Sequence, residues 1–494
     1  RARATAGSRL TGVRRYVYDQ LRPKMRAIAD GNLSSSVIVV EDIYSRLEKA
    51  EFTAEDLGIG SLTGTDGRLT NAARAAVRRM IGWDAAGTIN ALAADCPYDM
   101  YWFDKTIGIQ HSLTLTLNTR KGTVSVPAAS RITVYLPVEA EYASGYTAGS
   151  VNTNLNTART GAASAAASMA AVIVEEAAGR TDEERLTYYR ERICGLVRYD
   201  FSAASSPQIQ YGDPWQLIYV FDGDPGTNVV CEGYAKAFQY LCELTDWQSD
   251  VSAISVTGQL LTGSGRSEKH MWNIVRIDGG RGLLADLTNC DGANAGAPDK
   301  LFMVRLKMQE DGQYFDEVTG LGYRYDDVTA GLFGEEDLDI HLHESTKDRC
   351  LCDVCGIRTG YRVHAAAQVP EGAQEAPTLK GDGIYSFDPD KTAEVSAKVS
   401  AACPSGLVFL GWFDAEGNKV SDETQYSFTL TDDVNLTARC SLVQDETDDR
   451  EDGADDQTGS KDTSGKHSGE GGKSDGTDSQ KTEPQQDEPE AEVI

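Results

Sequence analysis

Cysteine, histidine and aspartate can together make a thiol nucleophile with its base and its orienter, and this chain holds few enough of the first two to search one by one. Among ten cysteines, Cys231 stands out. It opens CEGYAKAFQYLCELTD, in which Cys231, Tyr234, Ala235, Phe238, Leu241 and Cys242 recur at the steps of one buried helical face. That periodicity puts Cys231 in a helix's first turn, where unpaired backbone N–H groups and the positive end of the macrodipole favour thiolate over thiol. Six histidines, at 111, 270, 341, 343, 364 and 467, are the candidate bases. His270 opens HMWNIVRI, a β-branched apolar run that reads as a strand, and DGGRG turns the chain into LLADLT, which carries Asp286. The two side chains are expected nearly opposite on neighbouring antiparallel strands, within the ~4.5–8 Å reach of direct and diagonal cross-strand neighbours. Asp286 then holds one ring nitrogen and leaves the other for the thiol. Plainer roles stand beside these: Cys242 reads as a small buried hydrophobe, and a lone strand histidine is usually structural.

An acyl-transfer site also needs an oxyanion hole. The backbone N–H of Cys231 is one donor, and Trp215, Gln216 and Asn228 in the preceding Gly/Pro/aromatic loop are candidates for the second. Trp272 shares a strand face with His270, either as a wall of the site or as core.

The order Cys, His, Asp, with the cysteine at a helix start and the other two on a following hairpin, resembles the transglutaminase-like superfamily of papain-type folds. YGDPWQLIYVFDGDPGTNVVCEGYAKAF, HMWNIVRI and LLADLTNCD look like the core of its bacterial secreted branch, closely over 181–306. The long region before them is similar to the N-terminal part found with such cores. The hairpin arm departs from the pattern, GGRG being a residue longer than a DGxW-type turn. The resemblance implies an α+β fold, with the Cys231 helix packed on an antiparallel sheet bearing His270 and Asp286. It also implies a peptide or glutamine-type amide as substrate and a Cys231 acyl-enzyme. Resolution by water makes a peptidase or amidase, the slightly preferred outcome, and resolution by a lysine amine makes a crosslinking transamidase. No cofactor is required, and nothing reads as a calcium loop. The alternative is a non-catalytic surface-binding or adhesion protein with a degenerate core.

With 40% hydrophobic and 25% charged residues the chain is globular in composition. No run approaches the ~18 apolar residues of a membrane span. The net charge of −29 is uneven: 444–494 holds 17 acidic and 5 basic residues and no aromatic, so the remaining body carries −17. A tail so composed is expected to be disordered. An acidic body excludes a phosphate-binding surface and hence nucleic acid as partner. A Ser/Gly/Asp-rich spacer after a folded module suggests an extracellular or cell-surface protein of a Gram-positive bacterium, with a protein or peptide substrate, cell-wall peptide included. The start at Arg1 reads as a processed or trimmed form.

The chain divides by pattern into a helical and β-hairpin region (1–148), the transglutaminase-like core (149–330), a Cys/His connector (331–360), a β-rich module (361–443) and the acidic tail (444–494). Helices are expected over 13–29, 70–80, 85–94, 154–178 and after Thr181, whose Glu184 completes a capping box. HSLTLTLN and RITVYLPV alternate as two strands of a hairpin or small sheet, and 205–227 reads as a loop. In the connector, Cys352 and Cys355 have zinc-knuckle spacing, with Cys350, His341 and His343 as further ligands for a structural zinc and His364 in reserve. A lone CxxC is weaker than a pair of them, so a disulfide or free thiols is the preferred reading there. The module's GLVFLGWFDAEGNKVSDETQYSFTLTDDVNLTAR resembles divergent internalin-type repeats of bacterial surface proteins, and Cys403 and Cys440 lie near strands that could pair them.

Overall fold

The computed structural model describes residues 5–206, 216–292, 300–309, 311–345, 350–443 and 492–493. Helices and strands contribute comparably, an α+β architecture. Two compact units form, one from residues up to Leu342 and one beginning at His343.

In the first unit, helix Gly12–Ala29 buries Val13, Val17, Leu21, Met25 and Ile28. It packs on helix Ala85–Asp95, whose N-cap Asp84 accepts the Gly87 N–H. The alternating run at 111–118 does not make a single strand. Gln110–Leu113 pairs with Ile132–Tyr135, whereas Thr116–Asn118 turns through NTRKG into Thr123–Ser125 in a separate three-stranded sheet. The crossing falls at Thr114, whose carbonyl accepts the Ser130 hydroxyl at 2.9 Å, in place of a ladder bond. The Ala-rich helix is also shorter than its composition predicts, Gly161–Glu176. Before it, the Asn156 side chain caps the 3-10 turn Thr157–Arg159, and such local side-chain bonding competes with helix.

The core of this unit is a seven-stranded antiparallel sheet in the order Phe302–Val304, Leu283–Ala285, Ser267–Ile277, Val251–Leu261, Leu321–Tyr325, Tyr314–Asp316, Lys307–Met308. Its two central strands pair along their whole length, from Ser267↔Leu261 to Ile277↔Val251. Helix Cys231–Leu244 lies against them. The spacing predicts one buried face for this helix, but everything from Cys231 to Cys242 is buried. The sheet takes one side, and helices Gly161–Glu176, Asp182–Leu196 and Gln216–Val220 take the others. Thus the segment read as a loop contains the helix Gln216–Val220, which buries Leu217 and Ile218. Helix Asp182–Leu196 carries the capping box of Thr181 and Glu184.

The second unit holds a five-stranded sheet, Gly383–Ser386, Gly360–Gln368, Val434–Leu442, Leu407–Phe413, Lys419–Ser421, and a three-stranded one, Thr378–Lys380, Val395–Ala402, Gln425–Leu430. They enclose a small core of Tyr361, Val363, Val399, Trp412, Leu430 and Leu436 among others. The disordered-tail reading lies outside the described residues, except that Glu492–Val493 pairs with Gln110–Leu113. Among the described residues no helix is long and apolar enough to cross a membrane.

Candidate active site

Cys231 is the first residue of its helix, after Val230 in extended conformation, a residue with no side-chain oxygen to cap the free amides. Close packing fixes this start. A Cβ on Gly233 would come within 2.6 Å of the Val229 Cβ, so only glycine lets the first turn lie on the strand that leads into it.

His270 sits on the strand Ser267–Ile277, paired with Gly258. A Cβ at Gly258 would meet the Arg324 backbone oxygen and lie 2.8 Å from Trp272 Cη2, so the glycine leaves room for the aromatic wall behind the imidazole. That wall is Trp272, stacked on His270 at 5.9 Å between centroids, with Tyr323 and Tyr325 against Trp272.

Asp286 does not lie within a strand as its sequence context predicts. The pairing ends at Asn273↔Ala285, and Asp286 follows as N-cap of the short helix Leu287–Cys290. It is therefore diagonal to His270, and the longer GGRG arm does not separate them: His270 Nε2 is 2.9 Å from Asp286 Oδ2. The same oxygen accepts from Asn289 Nδ2 at 2.7 Å and from the Tyr323 hydroxyl at 2.7 Å, while Oδ1 accepts the Asn289 N–H at 3.2 Å. With Nε2 committed to Asp286, the other ring nitrogen is left for Cys231, which lines the same cleft as His270.

All three groups are buried. Burial alone disfavours a charged imidazole, but the Asp286 carboxylate and the Cys231 sulfur outweigh it and raise His270 to about 10. Burial likewise works against ionised Asp286, and His270, Asn289 and Tyr323 together bring it below the usual carboxylate value. The arrangement therefore favours an imidazolium held between a carboxylate and a sulfur.

Beside Cys231 is a second charged group that sequence reasoning missed. Glu232, 1% exposed, pairs with Lys236 one turn on and with Lys105 Nζ at 3.1 Å. Burial opposes its ionisation, yet Lys105 and Lys236 lower its pKa. The i,i+4 spacing of Glu232 and Lys236 was a readable signal. Lys105 and Tyr323, distant in the chain, gave none.

Two clefts open at His270. The larger, about 430 Å³, is lined by Cys231, Glu232, Gly258, Lys269, His270 and Asp326. The smaller, about 260 Å³, lies against Tyr199, Phe201, Leu260, Thr288 and Asn289. Of the proposed oxyanion donors, Trp215 lies outside the described residues, Gln216 begins the helix Gln216–Val220, and Asn228 is exposed in the strand Asn228–Val229. His111 is buried in plain packing, accepting the Trp83 indole N–H at 3.2 Å.

In the second unit, His343, Cys352 and Cys355 each offer a ligand atom, all within 4.8 Å of one another, a group that could hold a metal ion, whereas His341 belongs to the first unit. Cys350 stands outside that group. The knuckle closes through the Gly356 N–H on the Cys352 carbonyl at 2.9 Å, with Gly356 at φ 72°. His364 is exposed, 3.3 Å from Asp382.

No protein-family model matches the chain, and no curated protein matches it.

Proposed function

We propose that this protein is a thiol acyl-transfer enzyme with a transglutaminase-like core, acting on peptide or glutamine-type amides through Cys231. The observation that carries the proposal is His270, bound through Nε2 to Asp286 Oδ2 at 2.9 Å and lining one cleft with the helix-start Cys231. In this reading the Cys231 sulfur attacks the amide carbon in the larger cleft, and the developing oxyanion takes the N–H at the helix start. His270 gives its proton to the leaving amine, and Asp286 keeps the imidazole in the right tautomer and orientation. Water or a second amine, deprotonated by His270, then attacks the thioester and releases Cys231. Hydrolysis and crosslinking share every one of these groups and differ in what reaches the thioester.

The test is labelling of the intact protein with a thiol-reactive amide probe, followed by peptide mapping and by ammonia release from glutamine peptides. Rapid labelling confined to Cys231, lost together with ammonia release in Cys231→Ala, is the expected result. Sluggish labelling spread over several cysteines would reject the enzyme and leave a surface-binding protein. The acidic, Ser/Gly-rich segment after the module supports a place outside the cell, at a Gram-positive surface, for such an enzyme.

We also propose a structural zinc in the connector. The imidazole of His343 and the thiols of Cys352 and Cys355 are donors that suit a tetrahedral zinc with a fourth ligand. Elemental analysis of the purified full chain should find one equivalent of zinc, lost on Cys352→Ser with Cys355→Ser. Purified protein that neither carries nor retains zinc after dialysis would rule the site out.

A further inference from the structure

The two cysteines of the C-terminal module are not used by the proposed chemistry, and the fold brings them together. Cys440 lies in the strand Val434–Leu442, in register with Phe409 of the neighbouring strand. Leu436, Ala438 and Cys440 are the buried positions of that strand, so Cys440 continues its inward face. On the three-stranded sheet, Ala397, Val399 and Ala401 are the buried positions of Val395–Ala402. Cys403 is the next residue of that series, just past the strand's end. The two inward series converge at one end of the core, where Cys403 Sγ is 3.4 Å from Cys440 Sγ. Both residues belong to the second unit.

We infer that Cys403 and Cys440 form a disulfide that staples the two sheets of this module to each other. A bond of ~2.05 Å needs the sulfurs to approach by little more than an ångström. The module has reason to need it: its buried core is small, and small domains with little to bury are the ones that disulfides stabilise. Among the described residues no strand pairing joins the five-stranded sheet to the three-stranded one, and the cross-link would close a loop spanning 37 positions.

The chemistry is thiol–disulfide exchange with a small-molecule disulfide such as oxidised glutathione. Cys403, half-buried beside Pro404, is the less buried of the two residues and reacts first. Burial pushes the Cys440 thiol up to about 12, with Cys403 adding to it, so the shielded sulfur acts second. The Cys403 thiolate attacks one sulfur of the donor, whose S–S bond breaks to release one thiol and leave a mixed disulfide. The Cys440 sulfur, losing its proton, attacks Cys403 and expels the second donor thiol. Two protein thiols are oxidised, the donor is reduced by two electrons, and both protons end on the released thiols.

The full chain is equilibrated in glutathione buffers of rising oxidised fraction, quenched with an alkylating agent and mapped by mass spectrometry. The expected result is a Cys403–Cys440 linked peptide that appears in one step, together with loss of both alkylation sites. The module's unfolding transition should rise by on the order of 10 °C on oxidation, as for a closed loop of this length in a domain this small. That shift should be absent in Cys403→Ser, which folds with the same strands because Cys403 is only half-buried. Alkylation of both residues in fully oxidising buffer, or linkage of either to a different cysteine, would overturn the inference, and the wild-type map decides this even if the variant fails to fold.

Discussion

Asp286→Asn separates two jobs that the native carboxylate does at once. As N-cap of Leu287–Cys290, Asp286 accepts the Asn289 N–H, and asparagine caps about as well, so the local backbone should survive the change. As partner of His270 it supplies charge, which asparagine lacks. Burial, Asp286 and Cys231 together take His270 from 6.5 to about 10, a net preference for imidazolium on the order of 5 kcal/mol at ~1.36 kcal/mol per unit. An independent Coulomb estimate for charges ~4 Å apart at an effective dielectric of ~20 gives ~4 kcal/mol for the carboxylate. The amide can still accept from His270 and recovers part of this, leaving a loss of about 3–4 kcal/mol, or ~10²–10³-fold in any rate that needs the charged pair.

The assay is iodoacetamide inactivation of Cys231 as a function of pH for both proteins, with circular dichroism to show that both are folded. The rate for Asp286→Asn should fall by the factor above at neutral pH, and its profile should change shape. Tyr323→Phe, which removes only one of the three donors to the same oxygen, should leave most of the rate intact. Coincident profiles for wild type and Asp286→Asn would refute the reasoning, because they would mean that Asp286 is only a cap.

Two further outcomes follow from burial. Cys242→Ala removes a sulfur from the packed face of the nucleophile helix and should cost about 1 kcal/mol in urea unfolding while leaving Cys231 labelling unchanged. His270 is raised in the folded state, so its contribution to stability is complete below its ordinary 6.5 and lost as pH rises through about 10, whereas lowered Asp286 contributes above its ordinary 3.8 and loses that contribution on acidification. Denaturation curves of wild type and His270→Gln should therefore differ most between pH 3.8 and 6.5 and draw together as pH rises from 6.5 to about 10, and a constant difference over that rise would contradict the assigned shift.

The parts of this architecture that are local in sequence were legible. A helix start, a two-strand hairpin and a capping box each occupy a short window, and the Cys231 helix, the His270 strand and the Thr181 cap all lie where pattern puts them. What failed was whatever depended on distant chain. HSLTLTLN alternates as one strand because period-2 patterning carries no information about which sheet each half joins. The Cys231 helix reads as one-sided because Glu232, Lys236 and Gln239 look like a solvated face. Their burial depends on Lys105 and on the Ala94 carbonyl and Ser255, contributed by other elements. Tyr323, in its turn, reaches Asp286 from a strand that joins the sheet on the far side of Val251–Leu261.

Lys105 is the most informative of these missed contacts, because it ties the region before the core to the residue next to Cys231. Glu232 is 1% exposed on the first turn of the Cys231 helix, and a carboxylate so placed requires paired charge. Lys236 supplies one cation from the same helix, and Lys105, 31% exposed, supplies the other from residues that sequence pattern assigns to a separate region. Lys105→Met keeps most of the stem and removes the charge, leaving Glu232 with a single partner. Breaking a fully buried pair costs about 3–5 kcal/mol, but Lys105 is partly solvated and Lys236 remains, so ~1–2 kcal/mol is expected here. If the pair is what positions the helix start, Cys231 labelling should slow in Lys105→Met, and the double variant with Glu232→Gln, a change that itself strands buried Lys236, should lose less than the sum of the two single variants. Additive losses in the double-mutant cycle would show that Lys105 and Glu232 act independently, and the region before the core would then support the site through packing alone.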